Sequence, residues 1–425
     1  LVAQLSKFSH PYIPRILSAT MALEGISDAH AERATIREDV DRCLSTIATK
    51  IPTRLSIPLL LQSAPTILAA GHGAAARFAD LMAEVWQQLD RATVVAHLGP
   101  LSTLATLLLD YRRVFGDQSA AAAEVDAAAS DAVVEMCLKL TESELKSFLT
   151  RLAEWRDVKF KSKKTSGEQE AEVDWKRYAR AVSFFSLADS LMGKLKSLFI
   201  PIMGVMWGSA IELLEAFATH GAKAVKKAAV SADEEAEDGA SKSKKRKQIE
   251  AESAVDGAPS ALVAELELLG RYILSSVREC CAQDNVGFMD EVRFEKMMQA
   301  VVALVPLQRA FRDEATYLTY TEDYVSSCLS ALAVAVGKDL LWKPLNHKVL
   351  LLTRDSRKAV RIAAVKVLYR LFSEVSHEYL LLLPECLPFL SELMEDSHRD
   401  VVAAAAETIR FIEELSGEKL DEYLQ

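Results

Sequence analysis

What this sequence lacks narrows it first. Glycine is scarce, 16 in 425 residues, and no alternating apolar–polar run is joined to another by Asn-Gly or Asp-Gly. Hairpin strands therefore have no local signal. The six cysteines, at 43, 137, 280, 281, 328 and 386, make no Cys-x-x-Cys pair and have no histidine cluster beside them. That argues against a zinc site or a disulfide framework and leaves core thiols in a reducing compartment. A basic balance is also missing: net charge is −10 and the pI about 5.5. An autonomous nucleic-acid binder carries a basic footprint, so contact with RNA is expected to be local or shared with partners. No secretory-signal pattern is read. The one membrane-length apolar run, 197–214, follows Lys194 and Lys196, contains Glu212 and is interrupted by Pro201. A buried helix is the expectation there.

Catalytic motifs are missing as well. There is no Gly-x-Ser-x-Gly, His-Glu-x-x-His, Walker loop or dinucleotide fingerprint. The "GHG" at 71–73 lacks the other positions of a phosphate loop. The segment 284–295 places Val286, Phe288 and Met289 where a calcium loop needs oxygen ligands or glycine. The paired acids Glu234 and Glu235 lie in a polar tract with no shell to tune them. No enzyme activity, cofactor, metal or small-molecule substrate is expected.

What is present is helix. Half of the residues are apolar, and alanine, leucine, glutamate and lysine abound. The clearest organisation lies in 342–425. Asp355 and Asp396 close two helices of one kind, and Val360 and Val401 each follow five residues later, so the offset is 41 residues. Two helices per unit of about 40 to 47 residues is the period of HEAT and armadillo repeats. Val360, Ala363, Ala364, Val367, Leu368, Leu371, Phe372 and Val375 form one helical stripe. Leu383, Leu387, Leu390 and Met394 continue the logic in the next helix. Val401, Ala404, Ala405, Thr408, Ile412 and Leu415 do so in the last. Four large buried side chains stabilise a hairpin by roughly 1.5–3 kcal/mol each. Ordering its backbone costs about 1–2 kcal/mol per residue, so hairpins must stack. The expected fold is all-α, a HEAT/armadillo-type α-solenoid of stacked helical hairpins. The acidic tail "EELSGEKLDEYLQ" is expected to face solvent as a cap.

The rest divides by composition. Residues 1–156 read as helical repeats, with Ile36, Val40, Leu44 and Ile47 on one helix, prolines 52 and 58 bounding short pieces, and helices at 74–97, 99–115 and 119–140. Thr141 and Glu144 make a capping-box pattern. Residues 157–173 read as a charged mobile loop, 174–229 as repeats with long central helices, and 230–259 as a disordered acidic/basic linker. Residues 260–341 read as further repeats, 342–425 as two terminal HEAT units. Leu1 opens directly on helix-like sequence, which reads as the C-terminal piece of a longer protein.

Five segments together resemble one family. They are "IPTRLSIPLLLQSAP" at 51–65, "LKLTESELKSFLTRLAEWR" at 138–156, "RAVSFFSLADSLMGKLKSLFIPIMGVMW" at 180–207, "LWKPLNHKVLLLTRD" at 341–355 and "LLPECLPFLSELMED" at 382–396. They are similar, in order, to the C-terminal part of the large HEAT-repeat protein associated with U3 small nucleolar RNA in the small-subunit processome. The resemblance implies a non-catalytic nucleolar scaffold for pre-ribosomal RNA processing, small-subunit assembly and ribosomal DNA transcription. Its implied partners are β-propeller subunits of the same subcomplex, U3 RNA and pre-ribosomal RNA. The family places no catalytic residue here. The alternative reading is a nuclear transport-receptor-like solenoid that binds protein cargo and a small GTPase.

Two basic features could carry contacts. Lys242, Lys244, Lys245, Arg246 and Lys247 form an import signal, a phosphate-contacting patch or a plain solvated linker. Arg354, Arg357, Lys358, Arg361, Lys366 and Arg370 make a basic turn and helix face. They are expected to be ordinary solvated charge, with Arg361 pairing Asp355 or Asp396, or else a contact for RNA or an acidic partner.

Overall fold

A computed structural model describes residues 10–23, 33–156, 169–237 and 261–420; among them there is helix and no strand. The chain divides into two compact units, Leu1–Lys194 and Leu195–Gln425.

The first unit holds α1 (Ile13–Ala22), α2 (Arg33–Lys50), α3 (Thr53–Leu68), α4 (His72–Gln88), α5 (Arg91–Ala96), α6 (Leu98–Leu109), α7 (Tyr111–Val114), α8 (Ala120–Cys137), α9 (Glu142–Arg156) and most of α10 (Gln169–Leu195). α3 packs on α1, α4 and α6, and α4 pairs along its length with α8. Val40, Leu44 and Ile47 are buried, as the stripe requires. The capping box is formed: Thr141 N–H donates to Glu144 Oε2 at 2.8 Å, and Glu144 N–H to Thr141 Oγ1 at 3.4 Å. Pro52 does bound a helix, but Pro58 does not; it lies inside α3 together with Pro65. Burial of Ile57, Leu60, Ala64 and Ile67 on neighbouring helices outweighs the lost backbone hydrogen bonds. The expected helix at 74–97 is two, because the Asp90 carboxylate accepts the Thr93 N–H at 3.1 Å and starts α5 afresh.

Two boundaries differ from expectation. α10 begins at Gln169, inside the stretch read as loop. After α11 (Ile200–Met203), α12 (Trp207–Glu237) runs into the stretch read as linker, through alanines and glutamates of high helix propensity. The 242–247 cluster lies outside the described residues. In the apolar run, Lys196 with φ 51° and a short 3-10 turn precede α11, and Pro201 is accepted in its first turn. Phe199, Ile200, Ile202, Met203, Met206 and Leu214 are buried, and no single described helix is long and apolar enough to cross a membrane.

The second unit continues with α13 (Ala261–Gln283), α14 (Glu291–Val302), α15 (Glu314–Tyr320), a π-helical turn (Thr321–Ser326), α16 (Ser327–Val336), α17 (Asp339–Leu352), α18 (Lys358–Val375), α19 (Leu383–Met394) and α20 (Arg399–Ser416). α17 pairs with α18, and α19 with α20. The second helices then stack on one another, α13 on α16, α16 on α18 and α18 on α20. This is the stacked-hairpin, all-α architecture that the 41-residue period requires.

In α18 the predicted stripe is buried from Val360 to Phe372, and only Val375 is partly open. α19 is in a different phase from that expected. Leu383 and Leu387 are half-buried and Met394 is exposed, whereas Leu382, Cys386, Leu390 and Leu393 are buried. Glu385 and Glu392, seven residues apart, mark the exposed side, and the buried face is turned by about one residue from the one opposite them. The face is chosen by buried Asn346 of α17, whose Oδ1 accepts the Tyr379 hydroxyl at 3.3 Å and the Cys386 thiol at 3.4 Å. In α20, Val401, Ala405, Thr408 and Ile412 are buried, while Ala404 and Leu415 are half-open. The tail is not wholly polar in behaviour: Leu420 folds back and is buried, its N–H donating to Glu413 Oε1 at 2.8 Å.

Candidate interaction surface

The loop 353–357 between α17 and α18 is built by one carboxylate. Asp355 accepts the Arg357 backbone N–H at 2.9 Å, the Arg357 Nε at 2.9 Å and its Nη2 at 2.8 Å. Arg357 Nη1 donates onward to the Pro306 carbonyl at 2.7 Å, which fastens this loop to the segment after α14. Asp396 repeats the motif one period later and accepts the His398 N–H at 2.8 Å. Both are Asx turns, which is why Asp-Ser-x recurs at the same place in each unit.

Arg361 joins the two loops. Its Nη1 donates to the carbonyls of Asp355 and Ser356 at 2.8 and 3.0 Å. Its Nη2 donates to Asp396 Oδ1 at 3.0 Å, with Nε 2.8 Å from Oδ2. The side chains of Arg361 and Asp396 are each 11% exposed. The sequence placed Arg361 toward water; it is buried instead, because two carbonyls and the charged Asp396 carboxylate replace most of its hydration, while Nε makes no hydrogen bond. Burial pushes the Asp355 and Asp396 carboxyls up, but guanidinium and backbone hydrogen bonds outweigh it and hold both below the ordinary range. Arg357 is shifted up, chiefly by its hydrogen bonds to Asp355.

The other cations of the basic face have acidic neighbours too. Arg354 Nε donates to Glu392 at 2.8 Å, and its guanidinium lies 4.3 Å over the Phe389 ring. Lys358 stands 3.1 Å from Glu314 and 3.7 Å from Asp400. Lys366 pairs with Glu322 of the π turn, and Arg370 lies 3.4 Å from Glu374. The structure thus brings all six into one region and gives each a carboxylate. Sequence spacing could not supply this, since most partners lie 35 or more residues away.

Sequence reasoning missed a neighbouring feature. Where α12, the segment after α14 and the 356–357 loop meet, a groove of 710 Å³ opens. Ala218, Thr219 and Ala222 of α12 line it together with Leu307, Arg309 and Arg357. The only sequence signal was the run of small residues along α12. Gly221 has a specific role there, since a Cβ would lie 3.0 Å from the Leu307 side chain. The glycine lets α12 settle against Leu307.

Residues 93–289 match the BP28CT (NUC211) domain family. Over 100% of its length the chain is 27% identical to an uncharacterized protein of Arabidopsis thaliana and covers 18% of it. It is 26% identical to HEAT repeat-containing protein 1 of Homo sapiens, over 100% of this chain and 18% of that protein. It is 23% identical to U3 small nucleolar RNA-associated protein 10 of Chaetomium globosum, over 97% of this chain and 21% of that one. Among solved structures, the karyopherin Kap121p bound to the SUMO protease Ulp1p aligns with 96% of this chain and 49% of its own, at 13% identity and a TM-score of 0.32. The chain spans about a fifth of the length of the curated relatives it matches.

Proposed function

We propose that this chain, a member of the HEAT-repeat family that includes U3 small nucleolar RNA-associated protein 10, is a non-catalytic scaffold segment of the small-subunit processome. In this reading it works in the nucleolus and supports pre-18S ribosomal RNA processing, small-subunit assembly and ribosomal DNA transcription. It holds protein neighbours on its hairpin faces, β-propeller subunits of the same subcomplex among them. U3 RNA and pre-ribosomal RNA are reached through the assembly. Lys242, Lys244, Lys245, Arg246 and Lys247 serve as an import address or a phosphate contact.

One observation carries the reading: similarity extends through 97% of this chain to a protein named for its association with U3 small nucleolar RNA. The paired charges support it. Arginines held by carboxylates fasten hairpin to hairpin, as a load-carrying stack needs, and leave little free charge for phosphate. The test is affinity purification of the intact protein from cells with sequencing of the RNA that accompanies it. Recovery of U3 RNA and pre-ribosomal leader is expected. A GTP-loaded GTPase and nuclear-pore components without those RNAs would assign the chain to a carrier instead. Deleting 240–250 is expected to weaken nucleolar location or RNA crosslinking. If both are unchanged, the basic cluster has no part in the function.

A further inference from the structure

We propose that the outward faces of α17 and α19 form a self-complementary surface that docks a second copy of this chain. The two helices lie side by side and run in the same direction. Asn346 of α17 meets Cys386 of α19, and Arg354 at the end of α17 stands 4.3 Å from the Phe389 ring. Residues one 41-residue period apart are exposed on both: Leu340 and Leu381, Pro344 and Glu385, His347 and Pro388, Leu351 and Glu392. Leu340, Leu351 and Leu381 are 72%, 52% and 49% exposed, so this face has large apolar side chains free to bury.

Charge identifies the occupant. The exposed face of α17 carries Lys343 and Lys348, and the helix's one acid is Asp339 in its first turn. α19 contains no cation; Glu385 and Glu392 stand on its exposed face, with Glu395 just beyond its end. Arg354 and Glu392 lie 2.8 Å apart and satisfy each other. Glu385 has only the Asn346 amide, at 3.5 Å, and Lys343, Lys348 and Glu395 have no ion-pair partner among the described residues. A basic strip thus runs beside an acidic one. A two-fold axis between them lays α17 of each copy on α19 of the other, which brings Lys343 and Lys348 against Glu385 and Glu395 twice over and buries the leucines. An acidic partner would be drawn to α17 and repelled by α19, a basic one the reverse, and nucleic acid meets the same conflict as the acidic partner.

The test is sedimentation velocity of the purified intact protein, with co-purification of two differently tagged copies. Self-association is expected, and it should weaken as salt rises. Lys343→Glu with Lys348→Glu makes both strips acidic, and Glu385→Lys with Glu395→Lys makes both basic. Each double variant alone is expected to lose self-association by about tenfold or more, with thermal melting unchanged. Mixed together, the two variants should associate with each other, because each then supplies the charge that the other lacks. Lys343→Gln with Lys348→Gln should weaken association less than the reversed pair, and decides the matter if that pair is unstable. A monomer at every concentration, a dimer indifferent to the substitutions, or mixed variants that stay apart overturns the proposal. The measurement is made without RNA, so it stands or falls apart from recovery of U3 RNA.

Discussion

α18 and α20 occupy the same place in successive hairpins, are each 18 residues long, and bury eleven and five residues respectively. Five positions are buried in both: Val360 and Val401, Ala364 and Ala405, Val367 and Thr408, Leu368 and Ile409, Leu371 and Ile412. These are the hairpin's own core. The additional buried residues of α18 are Ala359, Arg361, Ile362, Ala363, Val365 and Phe372. One period later stand Asp400, Val402, Ala403, Ala404, Ala406 and Glu413. α18 has a second helix on either side, α16 and α20, whereas α20 packs only on α18 among the described second helices. A repeat's hairpin core and its stacking face are therefore separate sets of residues, and the second set exists only where a second neighbour does.

Substitutions in the two helices can break this comparison. The largest effect is expected from Leu368→Asp, which buries an unpaired charge at a site with 0% exposure. Stability should fall by about 4 kcal/mol or more, read by urea denaturation, while Leu415→Asp on half-open α20 costs about 1 kcal/mol. Equal losses would mean that Leu415 is as enclosed as Leu368. Next comes Arg361→Ala, which leaves Asp396 without its guanidinium and should cost about 3 kcal/mol. Arg361→Lys should restore little, because a single ammonium cannot bond the Asp396 carboxylate and also reach the carbonyls of Asp355 and Ser356 as Nη2 and Nη1 do. Full rescue by lysine would reduce the joint to a simple charge pair. At the stacking face, Ile362→Ala should cost about 2 kcal/mol, but Ala403→Ile on exposed helix surface should change stability by no more than about 0.5 kcal/mol. A destabilising Ala403→Ile would reveal a neighbour over that face.

The smallest effect concerns pH. Asp355 and Asp396 are held below the ordinary 3.8, so their contribution is complete above that value and is lost as pH falls through their lower folded values. Melting temperature should begin to drop below about pH 4. Arg361→Ala should flatten that drop, since it removes the group that keeps Asp396 ionised. A variant with the full acid dependence would place its origin elsewhere in the chain.

Much of this was legible. The Asp355 and Asp396 turns are local, made by a carboxylate and the N–H two residues on, so the sequence motif and the geometry coincide. The capping box at Thr141 is local in the same way. The phase of α19 was not legible, because its buried face is turned from the one opposite Glu385 and Glu392 toward Asn346 across the hairpin. The interior Pro58 was misleading for a related reason: local propensity was weaker than burial on several neighbours. Of the basic face, only the pairing of Arg361 with a repeat aspartate could be anticipated. The partners of Arg354 and Lys366 stand 38 and 44 residues away in sequence.

By itself, then, the sequence determined the all-α class, the 41-residue period and the apolar stripe of α18, because helical periodicity and short-range hydrogen bonds act within a few residues. Tertiary structure decided the second buried face of α18, the phase of α19, the burial of Arg361 and the groove beside α12. Each depends on which hairpin lies next to which, a relation that stacking creates and local spacing does not encode.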